Sequence, residues 1–132
     1  MTCLDTTFLI DLLRKKPEAE KKLSSLMKSS GAPSVTVTTV GELFHGACKS
    51  ENVEKEKAKI NDALTAFLVL EMDLRCAEKF GQLLAVLDKA GQKVNDRDVL
   101  IAAMSISKGE KVIVTRNAKD FIRIPEIVAE SY

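Results

Sequence analysis

Residues 1–13 read MTCLDTTFLIDLL, and the passage from strand to helix inside this stretch sets the reading of the whole chain. Residues 1–4 form a short buried strand. Phe8, Leu9, Ile10, Leu12 and Leu13 then recur at helical spacing, so a helix starts directly behind it, with Thr6 or Thr7 as its cap. Asp5 stands at the joint. The same succession returns along the sequence. Residues 34–37 read as a strand before a helix that starts at Thr39 and turns Val40, Leu43, Phe44 and Ala47 inward. Residues 68–72 read as a third strand before an amphipathic helix carrying Leu74, Ala77, Phe80, Leu84 and Leu87, which ends near Gly91. Residues 98–107, apolar nearly all round, form a buried helix before the strand 111–115, and a short last strand is expected near 122–124. Pro17 suits the first turn of a helix facing inward through Ala19, Leu23, Leu26 and Met27, and Val53, Ile60, Leu64 and Phe67 mark another. Alternating strands and helices predict an α/β chain with a parallel sheet covered on both faces.

The totals narrow the functional classes. A length of 132 residues suits one domain, 1–132, able to bury a core without disulfides or structural metal. Cys3, Cys48 and Cys76 are an odd, widely spaced set, which argues against a zinc site and a disulfide framework and favours buried small hydrophobes. No apolar run approaches the roughly 20 residues that cross a bilayer. No basic leader opens the sequence, so a cytoplasmic protein without membrane contact is expected. The 20 basic and 19 acidic residues balance to +1, so nucleic-acid binding must rest on local basic clusters. Aromatics at 5% with no Trp argue against a stacking platform for single strands.

The chemistry lies in acids at the ends of the apolar runs: Asp5, Glu42, Asp96, Asp98 and the polar group 117–120. In an open parallel sheet the carboxyl ends of the strands share one crevice, so acids far apart in sequence can converge. Converging carboxylates suit a hard divalent cation. Each residue also has a plainer reading. Asp5 fits as a helix-start acid, and Thr39-x-x-Glu42 matches a capping box. Asn95 or Asp96 can cap the buried helix, while Thr115 and Asn117 can cap a short turn or hold a carboxylate or a water. Asp11 reads as a solvated charge on the helix flank.

Taken in order, LDTTFLID (4–11), TTVGELFHGA (38–47), VNDRDVLIAA (94–103) and VIVTRNAKDF (112–121) resemble the four motifs of PIN-domain nucleases. GEL-x-x-GA and D-x-LIAA are similar to the small VapC-type toxin ribonucleases of toxin–antitoxin modules, and the resemblance runs from end to end. It implies a three-layer α/β/α sandwich with a central parallel four- to five-stranded sheet, a Mg2+ or Mn2+ site, cleavage of RNA phosphodiester bonds, a homodimer and a VapB-like antitoxin. Asp5, Glu42 and Asp98 match the first three family acids and would bind or orient the metal. Asp96 is an additional acid that would hold a water of the site. Asn117 takes the fourth acidic position, which favours one well-held ion over two, and Asp120 substitutes only if its turn brings it inward. Thr6 and Thr115 are supporting residues. His45 stands where the family more often has an aromatic and is read as a helix residue beside the site. Arg14, Lys15, Lys16, Lys49, Arg97, Arg116 and Lys119 flank the motifs and are candidates for RNA phosphates. Phe8, Leu12 and Phe44 are expected to receive the antitoxin. Two other classes stay in view: a catalytically inactive PIN-like module that binds RNA or protein, and a receiver-type phosphoacceptor using Asp73. The second fares poorly, because receivers want paired acids after the first strand and Asp5 is followed by Thr6 and Thr7.

Overall fold

Cys3 and Leu4 are neighbours in one strand, and both are fully buried, in different cores. That is the alternation of a strand covered on both faces. The computed structural model describes residues 2–132. Its elements run β1 (Thr2–Leu4), α1 (Thr6–Leu13), α2 (Pro17–Ser30), β2 (Ser34–Thr36), α3 (Val37–Cys48), α4 (Val53–Leu64), β3 (Leu68–Leu70), α5 (Leu74–Lys89), α6 (Asp96–Ser107), β4 (Val112–Val114), α7 (Ala118–Phe121) and β5 (Val128–Glu130). The five strands form one parallel sheet in the order β3-β2-β1-β4-β5. One core joins Cys3 and Ile113 to Leu83, Leu87, Ala102, Ala103, Phe121 and Ile124 from α5, α6 and the α7 region. The other joins Leu4, Val35 and Val114 to Phe8, Leu9, Leu26, Leu43 and Ile60 from α1–α4. The result is the three-layer α/β/α sandwich, with five strands. Among the described residues no helix is long and apolar enough to cross a membrane.

Several local expectations move. Met1, placed in the first strand, lies outside the described residues. Neither Thr6 nor Thr7 caps α1; Asp5 occupies the cap position in extended geometry and its side chain makes no cap bond. Helix α3 starts at Val37, two residues earlier than expected, because Thr36 ends β2 and accepts the Thr39 N–H at 3.2 Å. The Thr39–Glu42 capping box therefore does not form, and Glu42 sits in the second turn. Residues 122–124 are not a strand: Phe121 and Ile124 are buried from a turn behind α7, and the edge strand is Val128–Glu130. On α5 the inward face is Cys76, Phe80, Leu83, Leu84 and Leu87, while Leu74 is 89% exposed and Ala77 is exposed. Met27 is exposed on α2, and Cys48 is exposed whereas Cys3 and Cys76 are buried. The Cys3 thiol is pushed up to about 12 by burial first and by nearby Glu110, which leaves it inert.

Thr36→Ala removes the only side-chain cap of α3 and leaves the Thr39 N–H unpaired in a buried place, so urea unfolding should show a loss of about 1–2 kcal/mol. Glu42→Gln should cost nothing through helix capping.

Candidate active site

The strand order places β1 in the middle, with β2 and β4 on either side. The chain winds outward from β1 to β3 and returns to β4, so the sheet switches direction between β1 and β4, where a crevice opens at the carboxyl ends. A hollow of about 240 Å³ lies there. Asp5, Thr6, Thr7 and Ile10 line it from the end of β1 and α1, Glu42 from α3, Asn95, Arg97 and Asp98 from the start of α6, and Asn117 from the segment after β4.

Asp5 is 2% exposed and is fixed by two hydroxyls. Thr7 Oγ1 donates to its Oδ2 at 2.8 Å and Thr115 Oγ1 donates to the same oxygen at 2.7 Å. Both bonds fall on Oδ2, so among the described residues Oδ1 has no side-chain donor and remains available to the crevice. Thr115 in turn accepts the Asn117 N–H at 2.8 Å, which ties the β4 exit to the β1 exit. Thr7 is a site residue that the sequence reading missed. The available signal was a hydroxyl two residues after an acid, a spacing at which such side chains bond locally.

Glu42 is held by a chain of threonines. Thr6 Oγ1 donates to Glu42 Oε1 at 3.2 Å and lies 2.9 Å from Thr39 Oγ1, which accepts from Thr36 Oγ1 at 3.2 Å. Thr39 and Thr36 are fully buried and were likewise missed as site supports. The other oxygen, Oε2, faces the Arg97 guanidinium at 3.5 Å.

Asp98 is half-buried and its carboxyl is pushed up to about 6. Burial is the larger cause, followed by the charges of Asp5, Asp120 and Glu42, with Arg97 opposing. Asp98 thus stands in the field of the other three acids. Asn117 caps nothing with its side chain. Its amide donates to Asp120 Oδ2 at 2.7 Å and to Asp98 Oδ2 at a long 3.5 Å, so the turn does bring Asp120 close to the group. Asp96 is different: it is exposed and does not line the hollow. Helix geometry explains this, since positions two apart on a helix face nearly opposite ways. The cap of α6 is Asn95, whose Oδ1 accepts the Arg97 N–H at 2.8 Å.

The remaining candidates are not among the residues that line the hollow. Arg14, Lys15, Lys16, Lys49 and Lys119 are exposed and form no ion pair among the described residues. Arg116 pairs with Asp11 at 2.9 Å, and Asp11 is buried rather than solvated. His45 is exposed on α3 and does not line the hollow. Phe8 is fully buried in the core and cannot receive a partner. Asp73 caps α5 and pairs with Lys108 at 2.7 Å, away from the crevice, which removes the receiver reading.

All the donors that face the crevice are oxygens or an amide, the chemistry that suits a hard cation. Among the described residues, no three of the Asp, Glu, His and Cys side chains close into a ready metal cage.

The PIN domain family matches residues 2–127. Ribonuclease VapC2 of Haemophilus influenzae (strain Rd) is 33% identical over 129 residues, 98% of this chain and 96% of that protein. The tRNA(fMet)-specific endonuclease VapC of Salmonella typhimurium is also 33% identical over the same shares. The crystal structure of VapBC2 from Rickettsia felis, bound to a DNA fragment from their promoter, contains a chain that superposes with a TM-score of 0.90 at 26% identity, covering 99% of this chain and 98% of that one.

The Asp98 carboxyl gives a pH signature. Its pKa is raised from about 4 in the unfolded chain to about 6, so across that window the folded state binds more protons than the unfolded state. Stability of the metal-free protein should therefore fall as pH rises from about 4 to about 6 and level off above. Asp98→Asn should flatten that fall and melt higher than the parent at pH 7.5 by circular dichroism, and millimolar Mn2+ should raise Tm of the parent alone.

Proposed function

This chain belongs to the PIN-domain family, in its VapC branch, and on that premise we propose that it is an endoribonuclease hydrolysing RNA phosphodiester bonds with Mg2+ or Mn2+. The observation that carries this reading is the pairing of Asp5 and Asp98 across one crevice, with Glu42 alongside and threonine hydroxyls holding Asp5 and Glu42 from behind. Asp5 and Asp98 would bind the cation and Glu42 would orient its waters. A cation held there would supply an activated water and neutralise charge on the phosphate. Asn117 steadies Asp98 and Asp120, and Asp96, exposed at the rim, has at most an outer role. A side-chain nucleophile is not needed.

The VapC relatives, one named for tRNA(fMet), support RNA as substrate. Arg97 in the crevice, and the exposed basic residues Arg14, Lys15, Arg116 and Lys119 that flank the motifs in sequence, would engage its phosphates. The VapBC2 neighbour supports a VapB-like antitoxin as partner. A groove of about 400 Å³ shares Ile10 and Glu42 with the crevice and is walled by Leu13, Leu43, Ala47 and Ile60. This groove, rather than Phe8, suits an apolar antitoxin segment with a basic side chain reaching the acids. The reading includes a homodimer acting in the cytoplasm. An inactive RNA- or protein-binding module is disfavoured because Asp5, Glu42 and Asp98 are all present and line one hollow.

Asp5→Asn should lower cleavage of structured RNA, tRNA included, by about a thousandfold or more while the circular dichroism spectrum is unchanged. A chelator should abolish wild-type cleavage and added Mn2+ should restore it. Full activity of the variant, or activity that survives the chelator, would overturn the reading.

A further inference from the structure

The Asp11 side chain is 6% exposed, and the acid chemistry of the crevice does not use it. A buried carboxylate needs partners on its lone pairs, and here each oxygen has one. Arg116 Nη1 donates to Oδ1 at 2.9 Å, and the Tyr132 hydroxyl donates to Oδ2 at 2.5 Å. The tyrosine is itself anchored, its ring edge-to-face against the buried Phe8 with centroids 4.8 Å apart and planes at 87°. The Tyr132 hydroxyl is held in its protonated form by burial and by the Asp11 charge, so it acts as a lasting donor. The carboxylate is thus fixed from two sides.

Arg116 has the opposite exposure, with 55% of its side chain open to solvent. Among the described residues only Nη1 meets a protein acceptor, so most of the guanidinium donors face outward. Its place relative to the crevice is set by the backbone. The Arg116 N–H donates to Thr7 Oγ1 at 3.0 Å, and that hydroxyl donates to Asp5. Of the other basic residues that flank the motifs, Arg14, Lys15 and Lys119 have no ion pair among the described residues, and Arg97 pairs with Glu42 of the site itself. Arg116 alone combines a buried anchor with free donors.

We propose that Asp11, clamped by Tyr132, is a positioning residue that presets the Arg116 guanidinium beside the Asp5 end of the crevice, where it takes a phosphate of the RNA substrate. This rests on the ribonuclease reading above. The physical gain is preorganisation: an arginine already immobilised loses less rotamer freedom when the phosphate arrives, and its planar fork keeps donors for the phosphate oxygens.

Steady-state cleavage of RNA, measured with Mn2+ at several salt concentrations, tests it on Asp11→Asn, Tyr132→Phe, Arg116→Ala and the Asp11→Asn/Arg116→Ala double variant. Arg116→Ala should raise KM about tenfold with kcat within about twofold, and should reduce the slope of log KM against log salt by about 0.7, one single-strand phosphate contact. Asp11→Asn should raise KM severalfold with a reduced slope, and the double variant should be no worse than Arg116→Ala. Tyr132→Phe keeps the ring against Phe8 and should raise KM about two- to threefold, so it decides the matter if Asp11→Asn does not fold. A lowered Tm with unchanged KM and salt slope would make Asp11 and Tyr132 merely structural and overturn the proposal, as would multiplicative effects in the double variant. Wild-type protein that cleaves no RNA would instead bring down the ribonuclease reading, and this proposal with it.

Discussion

Placing several like charges in one half-dry crevice is the constraint on which this structure turns. Asp5 is almost wholly removed from water, and Asp98 lies in the field of Asp5, Asp120 and Glu42. Such a group survives in a folded chain only if the surroundings hold each carboxylate in place without neutralising all of them. The protein does this with hydroxyls rather than cations. Thr7 and Thr115 hold Asp5, and Thr6, Thr39 and Thr36 make a file leading to Glu42. Neutral donors orient an acid and leave its charge for a cation. The Arg97 guanidinium is exposed and its pairing with Glu42 is long, so it screens weakly.

The sheet explains why the acids meet at all. With β1 in the middle, the exits of β1, β2 and β4 lie side by side, and Asp5, Glu42 and Thr115 follow from those three exits. The buried helix α6 then brings Asp98 over the same edge with its first turn, while Val99, Ala102, Ala103 and Ile106 seal the core below. The fold and the site are thus one arrangement: α6 must be apolar nearly all round to lie where it does, and only its first turn is free to carry charge.

Much of this was legible in the sequence, and the failures share a cause. Helices α2, α4, α5 and α6 announce themselves through apolar spacing, and the three crevice acids stand at readable strand and helix ends. What could not be read were the choices settled by distant partners. Among Thr36, Thr38 and Thr39, local pattern cannot say which caps α3; the register of β2 against β1 and β3 settles it. Residues 122–124 are as apolar as a strand, yet Phe121 and Ile124 belong to the core under α6, and the pairing with β4 goes to Val128–Glu130. Asp11 looked like a surface charge because its partners, Arg116 and Tyr132, stand 105 and 121 residues away. Asp96 was legible in principle, since an acid two positions from Asp98 on a helix cannot share its face.

The bond from Thr115 to Asp5 closes a span of 110 residues, and it has a bearing on biosynthesis. Ribosomes add roughly 5–20 residues per second, so Asp5 leaves the tunnel on the order of 5–20 s before the second of the two hydroxyls that hold it. Through that interval β1 lacks β4 and the acid edge is unassembled. Until residue 115 emerges, Asp5 has only its local partner, Thr7, and the edge of β1 that pairs with β4 stays open.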